Sequence, residues 1–590
     1  MGSLLAVLSP EGREAPDAIA RMAEASPHRG GPADTASIGR ATVAATSRPD
    51  SPDGWVAVGP DLAVAVSGVL DNRAELHEAW FPDGPGDPAH VVAAGIRREG
   101  VEAAARRMRG VFGVAVTDGR KLWAFRDHVG FHPLVYRQDA GGLFVGAEPK
   151  GVVAGAGVER KPDFDALSRL FFGAPEDMAS AIAGVTRLPS ATVLEGDGGR
   201  TALRRYWDPE SLLEKGGVEP TEIRERFHGL MEQAVGRCLA GGDVVSLSGG
   251  VDSPAVAAFA APIHRGRRGA PLPALSAVFP DHPSVDESRY VETVARELGL
   301  RLHTFAPKAR PTDGLADWVR LFDGPVPIVA FGQVFEFLEV ARELGFRNVL
   351  SGEIQEFVFE MRREVLPHLV ARGRLVPALR HARARRARGD RAGKLARRAV
   401  AGVVPAGLRA GLRSIRRGST YGLPPWVDAE VVERHRHDGA ASWRADQLVA
   451  FGGSGLSLSA DDTIQQVAGV RERRPFADVD LWEFALGLRA EVKHADPGPK
   501  ALMRDLLRGT VPDLILDRRD KTVFDSYINA SIDYRALRRW LVDPPGPPLP
   551  GVRYELLAAR LEREEMTLPE FMWAKDLAGV HAFLSEWESG

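Results

Sequence analysis

The stretch V-V-S-L-S-G-G-V-D-S-P-A-V-A-A-F-A, Val244 to Ala260, decides the fold class. Val244 to Leu247 has the length and β-branching of a buried strand. The Ala-rich run that follows reads as a helix, with Pro254 at its first position, where a missing N–H is no loss, and Ser253 as its N-cap. Between them Ser248, Gly249, Gly250, Val251, Asp252 and Ser253 form a small, hydroxyl-lined turn. The two glycines let the backbone approach a ligand closely, and the free N–H groups at the helix start attract an anion. Such a turn suits phosphate, although no G-x-x-x-x-G-K-[ST] loop occurs in the chain. Asp252 faces a phosphate only across a divalent cation, so a magnesium–nucleotide complex is implied. The plainer reading is an ordinary strand-to-helix turn, which also tolerates Gly and Ser.

Outward from this turn, from about Thr221, helical patterns such as Glu222 to Ala240 and Glu287 to Leu300 alternate with the short apolar runs DVVSLSGG, PALSAVFP and RNVLSGE. That alternation predicts βαβ units around a parallel sheet. Ligands in such sheets lie at the carboxyl ends of the strands, where Ser248, Phe279 and the Ser351-Gly352-Glu353 segment converge. The first 200 or so residues read differently. Short alternating strands separated by Gly and Asp turns, as in RGVFGVAVTDGRKLWAFRD, predict strand-rich layers. The boundary is expected in the polar Tyr206 to Glu222 segment.

A chain of 590 residues, 44% hydrophobic and 26% charged, with one cysteine, Cys238, excludes a disulfide framework and a multi-cysteine metal site. No uncharged apolar run is long enough to span a bilayer and the start lacks a basic signal region, so a cytoplasmic protein is expected. The net charge of −3 is uneven. Arg372 to Arg417 holds 15 Lys or Arg against Asp390 alone, a local +14 that reads as a solvated helical insertion or a docking surface for an acidic partner. Nucleic acid is not expected there, since no aromatic residue is available for stacking. His128 and His132 have a metal-ligand spacing but no acidic partner at matching distance, and they read as structural. Cys238 reads as a small core residue.

S-G-G-V-D-S is similar to the pyrophosphate loop of enzymes that cleave ATP to AMP and pyrophosphate. Together with FPDHPSVDESRY, VLSGEIQE, RRPFADVDLWEFA and KALMRDLLRGTVPDLILDRRDKTVF, in that order, it resembles the synthetase domain of the asparagine synthetase superfamily. SGVLDNRAEL, RGVFGVAVTD and FRDHVGFHPLVY resemble that family's glutamine amidotransferase domain. The resemblance implies an α/β and α+β fold: an Ntn-hydrolase-like αββα sandwich over residues 1–208, then an α/β synthetase domain with a parallel sheet and PP-loop over 221–590, carrying an Arg-rich helical insertion at about 362–430.

The departures from the family pattern shape the expected chemistry. Gly2 stands where the family's amidotransferases have the nucleophilic cysteine, so glutamine hydrolysis is not expected. Glu356 stands where an aspartate helps hold magnesium, after Ile354 and Gln355 in place of small residues. Glu353 is retained where β-lactam synthetase has tyrosine. Arg471 occupies the family's glutamate position in Leu-Glu-Ala-Arg, with Glu472 one place later.

The resemblance implies adenylation of a carboxylate by ATP and displacement of AMP by an amine. Asp252 and Glu356 would hold magnesium. Ser248, Gly249, Gly250 and Ser253 would hold pyrophosphate, with Phe279, Ser351 and Gly352 at the nucleotide. Glu353, Lys521 and Lys500 would be catalytic. Among family members the chain looks most like a lasso peptide cyclase, a macrolactam synthetase working on a precursor core peptide beside a leader-binding protein and a leader peptidase. β-Lactam synthetase, an ammonia-dependent asparagine synthetase and a non-enzymatic scaffold are the alternatives.

Overall fold

β1 (Leu4–Leu8) shows why the amino-terminal half becomes a layered sandwich. Its five residues are all buried, but to different sides: Leu4, Ala6 and Leu8 enter one core and Leu5 and Val7 another, the period of two of a strand covered on both faces. The strands that follow are β2 (Asp34–Ile38), β3 (Ala41–Ala45), β4 (Gly54–Val58), β5 (Ala63–Leu70), β6 (Gly110–Thr117), β7 (Leu122–Arg126), β8 (Val135–Asp139), β9 (Gly142–Gly146), β10 (Thr186–Arg187), β11 (Thr192–Gly196) and β12 (Thr201–Arg205). They form two six-stranded antiparallel sheets, ordered β10-β8-β9-β1-β3-β2 and β12-β11-β7-β6-β5-β4. Small residues, among them Ala63, Ala65, Ala115 and Ala124, fill the space between the sheets. Helices Ala15–Glu24 and Pro149–Ala156 cover the outside of one sheet and Pro88–Glu99 that of the other, which is the αββα arrangement. The Asp118-Gly119 turn joins β6 to β7, with Gly119 at φ +85°.

The computed structural model describes residues 2–12, 14–31, 33–48, 53–173, 180–403, 422–435, 442–451, 455–518, 522 and 524–587. After helix Ile223–Cys238 comes a five-stranded, wholly parallel sheet. It comprises β13 (Asp243–Ser246), β14 (Pro273–Ala277), β15 (Arg301–Phe305), β16 (Asn348–Leu350) and β17 (Arg471–Arg473), ordered β15-β14-β13-β16-β17. The strand order reverses between β13 and β16, so a crevice opens at their carboxyl ends, where ligands of open α/β sheets bind. β17 was not legible as a strand: R-E-R is charged throughout, and it is held by pairing with β16.

The Arg-rich stretch is helical between its glycines. Helices Val365–Ala371, Leu375–Ala387 and Ala392–Val403 are separated at Gly373 (φ +69°) and Gly389 (φ +96°). Arg409, Arg413, Arg416 and Arg417 lie outside the described residues. The two halves meet through buried charges. Arg29, fully buried, lies 2.5 Å from Glu148 and 2.7 Å from Asp462, and Arg109 lies 2.9 Å from Asp480. Arg471 reaches Asp53 at 2.7 Å, and Arg473 pairs with Asp71. Among the described residues no helix is long and apolar enough to cross a membrane.

Candidate active site

Four strand ends supply the site. After β13 the chain turns through Ser248 to Val251 and enters helix Asp252–Arg268. The helix starts two residues earlier than the sequence implies. Val251 already has helical angles and Ser253 lies inside the first turn, so Ser253 is not the N-cap and Pro254 is not at the first position. Pro254 still falls among the four residues whose N–H groups have no helical partner, which is why the proline is tolerated. Freed from capping, the Ser253 hydroxyl closes the loop: it accepts the Ser248 N–H at 2.9 Å and lies 3.0 Å from the Ser248 Oγ.

The amides of the loop are not all free, as the sequence reading supposed. The Gly249 N–H donates to Glu287 Oε2 at 2.9 Å. Arg518 then fixes both partners, donating to Glu287 Oε1 at 2.7 Å and to the Gly249 carbonyl at 2.9 Å while its guanidinium lies 4.1 Å from the Tyr290 ring centre. Neither Glu287 nor Arg518 stood out as functional in the sequence. Glu287 sits 38 residues from the loop, so only the fold brings it there. A Cβ on Gly249 would come within 2.8 Å of Arg518, whereas one on Gly250 would meet only the Ser248 Oγ, at 3.5 Å. A side chain at Gly249 would therefore displace Arg518 and crowd Glu287, whereas one at Gly250 would meet only that hydroxyl.

Asp252 forms an ion pair with Lys500. Lys500 itself has φ +53°, a costly angle for a residue with a side chain, and its N–H donates to Glu360 Oε2 at 2.7 Å. Glu360 is largely buried and its carboxyl is raised by that burial, with Asp252 adding to the rise. The carboxylate drawn towards Asp252 and Lys500 is therefore Glu360. Glu356, the acid the resemblance implies for magnesium, lies exposed one π-helical turn earlier, in Glu356–Glu360. Asp252 and Glu360 present hard oxygen donors, which suit magnesium.

β16 runs into Ser351-Gly352-Glu353. The Ser351 N–H donates to the Arg473 carbonyl at 2.9 Å, extending the sheet. Gly352 presses against the first helical turn after the loop, where a Cβ would lie 2.4 Å from the Asp252 carbonyl carbon and 2.5 Å from the Ser253 nitrogen. Ile354 follows at φ +74°, a strained bend that turns the chain into the π-helical segment. Glu353, 58% exposed, reaches Arg474 Nε at 3.0 Å. Arg474 also binds Asp461 at 2.9 Å and pairs with Glu472, and carboxylate oxygens of Glu353, Asp461 and Glu472 lie within 4.8 Å of one another. Burial raises the carboxyls of Glu472 and Asp461 against the pull of Arg474, and Glu353 adds to both rises, with Asp461 adding at Glu472 and Asp462 at Asp461. The side chain that meets Glu353 is thus Glu472, while Arg471, on the other face of β17, turns away to Asp53.

Phe279, two residues beyond β14, donates its N–H to Asp286 at 2.9 Å, and its ring lies 4.6 Å from that of Tyr527 and 5.6 Å from that of Phe524. Lys521 lies outside the described residues. The described residues on either side of it are joined, the Arg518 Nη2 donating to the Thr522 Oγ at 2.5 Å.

The other candidates fall away from the site. His128 packs edge-on against Tyr206 and Trp207, and burial lowers it to about 3; His132, lowered to about 4 by burial, contacts the Pro133 carbonyl and the Ser67 hydroxyl. Burial pushes the Cys238 thiol up to about 12, so it is no nucleophile. Gly2 donates its N–H to Asp53 Oδ1 at 2.8 Å and accepts from the Ser67 hydroxyl at 3.0 Å, while a Cβ there would lie 1.7 Å from the Thr46 carbonyl oxygen. That backbone has no room for a cysteine side chain.

Residues 226–578 match the family described as Asparagine synthase, and residues 70–207 match the Glutamine amidotransferase domain family. Asparagine synthetase [glutamine-hydrolyzing] 3 of Bacillus subtilis (strain 168) is 24% identical over 433 residues, which cover 70% of this chain and 66% of the relative. A putative asparagine synthetase [glutamine-hydrolyzing] of Mycobacterium tuberculosis (strain ATCC 25618 / H37Rv) is 30% identical over 288 residues, 42% of this chain and 43% of the relative. The chain therefore spans just under two thirds of the first relative and less than half of the second.

Proposed function

The chain belongs to the asparagine synthase family, and from that premise we propose that it is an ATP-dependent ligase that forms an amide through an acyl-adenylate. The observation that carries the reading is the crevice at the β13/β16 reversal. There the Ser248–Ser253 loop, the Asp252–Lys500 pair and the Glu353 carboxylate are locked together through Gly352.

In this reading a substrate carboxylate oxygen attacks the α-phosphorus of ATP and pyrophosphate leaves. The amine nitrogen then attacks the acyl carbon, AMP leaves, and the amine proton passes to Glu353. Ser248, Gly250 and Ser253 face the departing pyrophosphate, with Phe279, Ser351 and Gly352 at the nucleotide. Magnesium, held by Asp252 with Glu360 or Glu356, would neutralise charge on the phosphates. Lys500 and Lys521 supply cations to the transition state. Glu472 and Asp461, behind Arg474, orient Glu353 and share its charge.

We further propose that the amine is the substrate's own N-terminus, joined to an internal Asp or Glu side chain of a ribosomal core peptide, as in lasso peptide cyclases. Three points support this. Gly2 leaves no place for the thiol that would generate ammonia from glutamine. An N-terminal amine, with pKa near ~8, needs only modest help from a carboxylate base. Helices Leu375–Ala387 and Ala392–Val403 present Arg380, Arg383, Arg386 and Arg397 to solvent, a surface suited to an acidic peptide or to a leader-binding protein that delivers one.

The test incubates purified protein, ATP and magnesium with candidate leaderless core peptides and follows mass. Loss of one water with stoichiometric AMP supports the reading. Dehydration of a small β-amino acid instead would favour the β-lactam alternative, and amidation of free aspartate by ammonia the asparagine synthetase alternative.

A further inference from the structure

A second cavity lies where the two halves of the chain meet, away from the nucleotide loop. It has a volume of about 590 Å³, within the range of small-molecule sites. Much of its wall is apolar, from Leu134, Val135, Phe171, Leu188, Val326 and Val580. Four arginines line it as well: Arg29, held by Glu148 and Asp462; Arg205, 3.5 Å from Asp208; Arg126, at the end of β7 and 7% exposed; and Arg187, on β10 opposite Val135.

Unlike Arg29 and Arg205, neither Arg126 nor Arg187 has a carboxylate partner within ion-pair distance among the described residues. Arg126 donates to the carbonyls of Gly130 and His132, and the Nε atoms of both arginines are buried with no hydrogen-bond partner. The acids nearby are committed elsewhere. Asp127 accepts the backbone N–H groups of Gly130, Phe131 and His132. Glu148 is held by Arg29, His28 and Lys150, and Asp323 by Arg160 and Lys150. Glu210 pairs with Arg444 and Asp576 with Lys575. Burial lowers Arg187 to about 10, with repulsion from Arg126 adding to the shift. Arg126 is buried and Arg187 part-buried, Asp127 and Asp323 offset their charge only at a distance, and two cations in one cavity repel each other.

We propose that this interdomain cavity binds an organic anion, an oxyanion group on an apolar body, with Arg126 and Arg187 receiving the oxyanion and the apolar wall receiving the body. The shared chemistry is a carboxylate or a phosphate monoester. The site is independent of the ligase reading, because none of the nucleotide-loop residues lines it.

The experiment titrates the full chain with hexanoate, hexyl phosphate and hexyltrimethylammonium, in saturating MgATP so that the nucleotide loop is occupied, and reads Tm and Kd. The expected result is a saturable rise in Tm with one or both anions and none with the cation; which anion binds more tightly identifies the oxyanion. Arg187→Met should weaken that binding at least tenfold. It should also raise the Tm of the ligand-free protein, because it removes a part-buried charge with an unpartnered Nε and breaks no ion pair. Arg126 is left intact in the test since it holds two backbone carbonyls. No response of the wild-type chain to either anion would overturn the proposal. So would an equal response in Arg187→Met, or a fall in its ligand-free Tm.

Discussion

Gly352→Ala perturbs the site by one methyl group at its tightest point. The new Cβ would stand 2.4 Å from the Asp252 carbonyl carbon and 2.5 Å from the Ser253 nitrogen, and both are backbone atoms that cannot rotate away. Carbon contacts need about 3.5 Å, so the loop and the β16 turn must separate by about 1 Å. Overpacking of this kind costs ~1–3 kcal/mol, which lowers Tm by a few degrees and leaves the chain folded. The larger effect falls on chemistry: a misplacement of about 1 Å in a positioned group costs on the order of 10²-fold in rate. Because Asp252 and Lys500 move with the loop, turnover should fall about a hundredfold at saturating MgATP, measured by AMP release. Gly250→Ala is the control. Its Cβ meets only the Ser248 Oγ at 3.5 Å, so Tm should stay unchanged while turnover falls, because the methyl group crowds the phosphate. Full turnover by Gly352→Ala, or a loss of Tm in Gly250→Ala as large as in Gly352→Ala, would refute the reasoning.

Lys521→Ala and Asp252→Ala should each lower product formation by about 10²- to 10³-fold with the fold retained, as is typical for removing one transition-state contact; near-full turnover by Lys521→Ala would make it a surface lysine. Glutamine hydrolysis should be undetectable, and Gly2→Cys should not create it, because Thr46 occupies the space the side chain needs; glutamate release by either protein would contradict this. Reversing the exposed Arg380, Arg383 and Arg386 to Glu should raise KM for the peptide and flatten its dependence on salt, with kcat unchanged. Burial alone would raise Glu214, but hydrogen bonds from His368, the Ala490 N–H and Arg374 hold it at about 2. A depressed carboxyl stabilises the fold above its unfolded pKa of 4.5, and that stability is lost as pH falls towards 2. Glu214→Gln should therefore destabilise the protein by about 2 kcal/mol at pH 7, at 1.36 kcal/mol per unit reduced for partial exposure of Arg374, and flatten the acid limb of a Tm–pH profile.

The parallel sheet was legible because β13, β14 and β16 are short apolar runs between helical patterns, and the sandwich because its strands alternate around Gly and Asp turns. The candidate site was legible only where its residues are contiguous. The Ser248–Ser253 loop and the Ser351–Glu353 turn each act through their own backbone, so local sequence suffices. Glu287, Arg518 and Glu360 reach the loop across long separations, and no local pattern marks such partners. Ser253 was misread as an N-cap because a serine before a proline signals one, whereas the loop continues in helical angles through Val251 and uses the hydroxyl to brace Ser248. At β17 the strand's alternation sends Arg471 out to Asp53 and Glu472 in to Arg474.

The central claim is that a substrate carboxylate is joined to AMP at the Ser248–Ser253 loop before the amide forms. The most direct test supplies the leaderless precursor peptide with oxygen-18 in its acceptor carboxylate, together with ATP and magnesium, and measures label in the released nucleotide. The account predicts one labelled oxygen in each AMP formed, with pyrophosphate as the other product and a peptide lighter by one water. Unlabelled AMP, or ADP and phosphate in place of AMP and pyrophosphate, would contradict it.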